Sequence, residues 1–408
     1  MIDRSPLPST SRLLHWLAIA AAASPIALAT LVPAYVPEGG VPSRFFCLTC
    51  GGNPGTDFVL NVLLFVPLGI ALRAAGMTAH RVARLGFVFS AGIELAQVIL
   101  PGRDPALRDI LANGFGATLG AYGWDARRLV RASSPQQAAR LGIAASAAAA
   151  MALLLGAWLM RPDIPDDSYF GQWAPRFRHR AWFLGTLYDA RVNGAPLPRA
   201  EEAEPGTLAR AFRRDSLLLE ATMQLGPRTP DFAPIAAVVD AHEREVASLG
   251  QDGNRLVFRA RVLGDRAGLN TPALSLWIPP EFRGDTLRVV ARRRGGQLQL
   301  QARAGPATLA SSLPLTPGAS WLLLSPGGRP AGAGAWWVAA LFVAFLYHPG
   351  AWWIAQVGTA RAIGTFAALL AAGLLGAPLA GGGPRAPLAQ WVAAIAGAVV
   401  AWVAARHR

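Results

Sequence analysis

The stretch "DFVLNVLLFVPLG", Asp57 to Gly69, decides how this chain is read. From Phe58 onward it is apolar enough for a bilayer, yet Asp57 and Asn61 stand one helical turn apart and share a face. "DILANGFGATLG", Asp109 to Gly120, repeats the arrangement, with Asp109 and Asn113 at the same spacing before an apolar run. An ionisable group inside a membrane costs several kcal/mol unless it pairs or faces water. The two openings therefore predict helices that bring polar groups together just inside a bilayer.

Composition agrees. The 408 residues are 53% hydrophobic and 15% charged, where soluble domains carry about 25% charge. The apolar residues cluster into runs separated by arginine-bearing loops, as in a polytopic membrane protein with a soluble insertion. No lysine occurs, so the net charge of +14 is carried by arginine. An all-arginine cation set beside abundant Ala, Gly and Pro fits a GC-rich bacterial genome. No basic run interleaved with aromatics marks a nucleic-acid groove, and no nucleic-acid partner is expected.

Both cysteines, Cys47 and Cys50, lie in "FCLTCGG". A zinc site takes about four ligands, and this loop offers no histidine. A redox dithiol would want a βαβ setting that the sequence does not supply. The pair reads either as a local disulfide or as two idle thiols. His179 and His348 have no partners at motif spacing, and no metal or cofactor is expected.

Crossing a bilayer takes about 20 apolar residues. Candidate spans are Leu13 to Val32, Phe58 to Ala75, Val82 to Leu100, Ile110 to Trp124 and Leu141 to Met160, then Ala335 to Gly350, Ala362 to Ala380 and Leu388 to Ala404. The first ends in small residues suited to signal-peptide cleavage, but its apolar core is long for a leader, so a retained helix is expected. In "YHPGAWW", Pro349-Gly350 either kinks a long helix or ends a short one at a belt of Trp352 and Trp353. About eight helices result, divided as a four-helix domain over 1–135, a fifth helix over 136–160 and about three helices over 331–408.

Between them, from 161 to 330, the apolar period falls to two. In "NRLVFRARV", Leu256, Phe258, Ala260 and Val262 share one face, with Arg255, Arg259 and Arg261 opposite. Alternation from Leu287 to Ala291 resumes from Leu298 to Ala302 across Gly295-Gly296, a hairpin signal. The segment is expected to be an all-β sandwich. Asp240, Asp252 and Asp265 are scattered and fit turn chemistry, and "RFRHR", Arg176 to Arg180, reads as a solvated basic face. Arginines in the short loops (Arg81, Arg84, Arg127, Arg128, Arg131, Arg140, Arg361) and near both termini fall on one side. The positive-inside rule makes that side cytoplasmic and places the β domain outside the cytoplasmic membrane of a bacterium.

Three spans then carry polar groups near the outer end: Asp57 and Asn61 on the second, Ser90, Glu94 and Gln97 on the third, Asp109 and Asn113 on the fourth, with Arg103, Asp104 and Arg108 in the loop between the last two. At ~1.5 Å per residue, Asn61, Glu94 and Asn113 are expected at a common depth of roughly 6 to 9 Å. Asp57 and Asp109 also suit helix N-termini, whereas Glu94 lies in mid-helix. Gly116 and Gly120 form a GxxxG ridge for close packing.

The run Asp57, Asn61, Phe65, Pro67-Leu68-Gly69, then Glu94 and Gln97, Arg103, and Asp109, Asn113, Gly116 and Gly120 resembles the VanZ-like family over about residues 50–125. That family takes its name from an accessory protein of glycopeptide (teicoplanin) resistance, so the resemblance implies an envelope setting and an antibiotic-resistance role more than a reaction. "GQDGNRLVFRARV" and the Gly-Gly hairpin are similar to laminin-G-like and concanavalin-like jelly rolls, which implies a glycan- or protein-binding insertion. The expected function is a polar intramembrane pocket for an envelope lipid or lipid-linked cell-wall precursor. Glu94 or Asp109 would serve as acid-base group, Arg103 and Arg108 would grip a phosphate or carboxylate, and Asp57, Asn61, Gln97 and Asn113 would complete the binding set. The alternatives are a proton-coupled transporter and a non-catalytic anchor that displays the β domain.

Overall fold

The computed structural model describes residues 9–33, 53–103, 105–130, 134–164, 169–175, 180–197, 216–242, 244–332, 334–376, 378–379 and 383–406. Cys47, Cys50, Asp104 and the 176–179 part of the basic run lie outside them. The chain forms two compact units, Met1–Arg131 and Ala132–Arg408.

The first unit holds helices α1 (Ser9–Leu31), α2 (Pro54–Ala74), α3 (Ala79–Gln97) and α4 (Leu107–Val130). Proline at the first position of α2 costs it no hydrogen bond, because that N–H would be unpaired anyway. The Thr78 side chain accepts from Arg81 N and starts α3. Ile26, Phe65, Leu68, Leu72, Val82, Ile93 and Ala121 make the core. The fit of α2 against α4 is set by glycine. A Cβ on Gly69 would lie 2.0 Å from Ala117 O, one on Gly116 2.3 Å from Val62 O, and one on Gly120 2.2 Å from Val66 O. The GxxxG ridge thus does what its spacing predicts.

The second unit begins with α5 (Pro135–Leu159) and then, among the described residues, builds eleven strands. These are β1 (Tyr169–Trp173), β2 (Thr186–Val192), β3 (Ala195–Pro196), β4 (Ser216–Gln224), β5 (Thr229–Asp240), β6 (Glu245–Gly253), β7 (Arg255–Ala260), β8 (Ala273–Trp277), β9 (Leu287–Arg294), β10 (Gln297–Ala304) and β11 (Ala307–Pro314). They form two antiparallel sheets, β1-β5-β6-β7-β8 and β11-β10-β9-β4-β2-β3. One core lies between them, with Leu256, Phe258 and Leu276 from the first sheet meeting Leu219, Val289 and Leu300 from the second. The expected hairpin is present: Arg294 pairs with Gln297, and Gly295 and Gly296 both have positive φ (54° and 76°), as a two-residue type I′ turn requires.

One strand reading needs correction. Arg261, expected on the strand face opposite the apolar residues, is buried at 4% exposure. Its Nε donates to Asp163 Oδ2 at 3.0 Å and one terminal nitrogen to Asp240 Oδ2 at 2.8 Å. β7 ends at Ala260, so Arg261 leaves the alternation and turns into the junction with α5. Asp240 does keep a turn role, accepting from His242 N and Arg244 N through its other oxygen.

Helices α6 (Ala335–Val357), α7 (Ala360–Ala371, extended by a π-turn over Ala372–Gly376) and α8 (Leu388–Arg406) complete the unit. Pro349 lies inside α6, which runs on for two more turns, so the long-helix alternative holds. The sandwich is locked to these helices by the 3-10 turn Pro317–Leu324. Gln390 of α8, buried at 1% exposure, donates to Thr316 Oγ1 at 2.7 Å and accepts from Gly318 N at 3.3 Å. Gln390→Leu would strand both groups in an apolar setting. A loss of about 1–3 kcal/mol is expected in thermal unfolding in detergent, and an unchanged unfolding temperature would show that the lock is idle.

Among the described residues five helices are long and apolar enough to cross a membrane: α1 over Leu13–Leu31, α2, α5, α6 and α8. α3 and α4 fall short because Arg81, Arg84 and Glu94, and Asp109, Asn113 and Asp125, interrupt their apolarity. α7 and its π-turn are shorter. The helical exterior is greasy, with Leu28, Leu63, Val88, Leu95 and Ile99 all exposed in the first unit. A surface of that kind is stable against lipid and costly against water.

Candidate functional site

The polar cluster sits at one end of the four-helix unit, where α1 and α3 finish and α2 and α4 begin. Glu94, at 2% exposure, accepts a 2.8 Å bond from Ala106 N and thereby caps the start of α4. Gln97, on the same face of α3, donates to Thr30 O at 2.9 Å. Arg103 donates from Nε to Val32 O at 2.8 Å and from a terminal nitrogen to Ala29 O at 3.0 Å, closing the carbonyl end of α1 where a cation is favoured. These three residues tie helix ends together.

Arg108 joins two acids. Its Nε lies 3.1 Å from Asp109 Oδ1 and a terminal nitrogen 3.6 Å from Asp57 Oδ2, a close ion pair rather than a hydrogen bond. The Asp57 side chain is 47% exposed while those of Asp109 and Arg108 are mostly covered. The acid-arginine-acid row therefore opens to the outside at Asp57. Arg103 is held by carbonyls and Arg108 by carboxylates.

A turn below, Asn113 is buried at 1% exposure and donates to Ser90 Oγ at 2.9 Å. Its Oδ1 is buried with no hydrogen-bond partner, a costly arrangement that a donor entering the bundle would relieve. The expected common depth is replaced by three successive levels. Asn113 meets Ser90, one turn or ~6 Å along α3 from Glu94, and Glu94 meets the start of α4. Asn61 is half-buried, and its neighbour Val62 backs onto Gly116, so it lies deeper than Asn113. No hydrogen bond joins it to another described residue. Ser90 was visible four residues before Glu94 on the same face but was not placed in the site. The carbonyls of Ala29, Thr30 and Val32 carried no sequence signal at all.

At the opposite end Arg73 holds Asp125 through two bonds of 3.0 and 2.9 Å and also donates to Met77 O. Among the described residues no group of three His, Cys, Asp or Glu side chains is arranged to hold a metal ion.

The VanZ/LLP1 family model matches residues 14–128. The match begins within α1, earlier than the resemblance read from the sequence, and ends in α4. No curated protein and no solved structure matches the chain. The four-helix unit that carries the polar cluster, from residue 14 to residue 128, is a VanZ-like domain of a membrane-associated envelope protein.

Proposed function

We propose that the VanZ-like domain binds the polar head of an envelope lipid or lipid-linked cell-wall precursor at its Asp57–Arg108–Asp109 row. The observation that carries this reading is the opening of that row at Asp57 within an apolar exterior. Phe58, Ile99 and Leu111, close to the row along the chain, are exposed. A ligand with a charged head and an apolar tail suits such a bipartite surface. Asp57 accepts a donor from the head, and a phosphate or carboxylate exchanges for one of the two acids on Arg108. Proton transfer, where the site acts on its ligand, falls to Asp109, which belongs to the row itself, whereas Glu94 caps the start of α4.

Eight spans, cytoplasmic termini and a β domain outside the bacterial cytoplasmic membrane complete the proposal. Arginine placement supports it: the sandwich joins α5, α6 and α8 at one end of the second unit, and Arg140, Arg361 and Arg406 lie toward the other. The likeness of the sandwich to laminin-G and concanavalin jelly rolls rests on its two antiparallel sheets and stays part of this proposal.

A second reading, an anchor that only displays the β domain, is favoured by the inward bonds of Glu94, Gln97 and Arg103. Asp57→Asn with Asp109→Asn separates the two. Under the binding reading the protein reaches normal membrane levels, native mass spectrometry loses a co-purifying lipid, and the envelope phenotype of a deletion strain is not restored. Glu94→Gln, which keeps an acceptor for Ala106 N, retains the fold and reports on charge alone. Full restoration by all three variants would leave the anchor.

A further inference from the structure

The five-stranded sheet of the sandwich carries a polar row on its outer face. β6 turns into β7 through Gly253-Asn254, with Gly253 at φ +58°, a two-residue turn opened by glycine. Asp252 pairs with Arg255 across that turn, and Arg255 stands opposite Trp277 on β8. Ladder partners share a face, so an acid, a guanidinium and an indole line up across three strands. Leu256 and Leu276, the next pair, point the other way into the core.

Together with Arg228, Gly253 and Asn254 these residues line a recess of about 390 Å³, within the ~300–1,000 Å³ range of small-ligand sites. The Trp277 side chain is large, apolar and 54% exposed. The turn beneath it is held firmly. Asn254 O accepts from Ile278 N at 2.9 Å, and its Oδ1 accepts from Arg228 Nε at 3.0 Å and from Arg283. Arg228 and Arg255 line the recess beside Asp252, and Arg283 shares the Asn254 turn with Arg228. Asp231 and Arg259 act on Asp252 from nearby, so the guanidiniums outnumber the carboxylates and the recess favours an anion.

We propose that this recess binds an acidic saccharide. The indole offers a flat face to the C–H side of a pyranose ring. Asp252 accepts from ring hydroxyls, and Arg255 and Arg228 meet a carboxylate with the forked geometry that guanidinium provides. A neutral sugar would leave the excess positive charge unanswered, and a small inorganic anion would leave the indole uncovered. The site stands whether or not the VanZ-like domain binds a lipid.

The test uses the full chain in detergent micelles, titrated by calorimetry with a galacturonate trimer and with N-acetylmuramic acid. Their uncharged counterparts, a galactose trimer and N-acetylglucosamine, and inorganic phosphate serve as comparisons. At least one acidic sugar is expected to bind about tenfold or more tightly than its neutral counterpart, with Trp277→Ala weakening it by about tenfold or more and Trp277→Phe restoring most of the loss. Because Trp277 is exposed, Trp277→Ala should keep the parent unfolding temperature. If it does not, Arg228→Gln gives the same reading through lost preference for the acidic over the neutral sugar. No binding of either acidic sugar, equal binding by Trp277→Ala at unchanged stability, or phosphate displacing the sugar at the sugar's own affinity would each overturn the proposal.

Discussion

Arg261→Ala is expected to destabilise the sandwich by about 3–5 kcal/mol, the cost of removing one partner from a buried ion pair. Asp163 and Asp240 are both buried and both bound to this guanidinium. Their other partners, Arg266 and Arg244, are largely exposed and cannot fill the space that Arg261 leaves. Against a domain stability of about 5–15 kcal/mol the loss is a large fraction. Burial pushes the Asp163 and Asp240 carboxyls up, but hydrogen bonds from arginine, and for Asp240 from two backbone N–H groups, outweigh it and hold both below the ordinary aspartate range. Groups depressed in this way contribute stability that is complete above about pH 4 and is lost as pH falls through the native values. The parent protein should therefore weaken in acid. Arg261→Ala, with two buried acids each left with only one largely exposed arginine, should be worst at neutral pH and approach the parent as those acids take up protons. Thermal melts followed by the β signal in circular dichroism from pH 7 to 3 read both trends, and parallel curves at every pH would refute the account.

Gly69→Ala is expected to disrupt the VanZ-like domain by about 3 kcal/mol, the upper end of overpacking costs. The added Cβ would lie 2.0 Å from Ala117 O, with the neighbouring carbonyl carbon and Cα of Ala117 within 2.9 Å. These are backbone atoms of a helix and cannot rotate aside, so α2 and α4 must separate, opening the crossing that also aligns Asp57 with Arg108. Gly123→Ala, in α4 with nothing within 4 Å of the new Cβ, is the matched control. It should be neutral or stabilise by up to about 1 kcal/mol through helix propensity. The folded fraction of the purified protein in a denaturing-detergent titration distinguishes the two, and equal midpoints would refute the packing argument.

Much of the architecture was legible in the chain. The apolar runs located the helices, because a segment in lipid must satisfy its backbone internally. The shift to a period of two between Arg161 and Pro330 marked the strands, and Gly295-Gly296 marked a hairpin whose turn tolerates only positive φ. The polar residues of the first unit stand out in the sequence as a group, yet their partners were not foreseeable. Gln97 bonds a carbonyl 67 residues away and Arg103 one 71 residues away. Backbone carbonyls are the same at every position, so no sequence pattern announces which one a side chain will reach. Arg261 failed for a related reason: alternation tells which face a residue occupies, not whether another segment covers that face, and its acids lie 98 and 21 residues off.

Local physics therefore settled which segments are helices, which are strands, and which residues are out of place in an apolar surround. Helical period, apolar length and turn glycine act between neighbours and can be read in a line. Only the tertiary structure decided that Glu94 caps α4, that Arg103 closes α1, and that Asp57 alone leaves the acid-arginine row open. Those roles depend on distances between segments far apart in the chain, set by backbone packing at Gly69, Gly116 and Gly120.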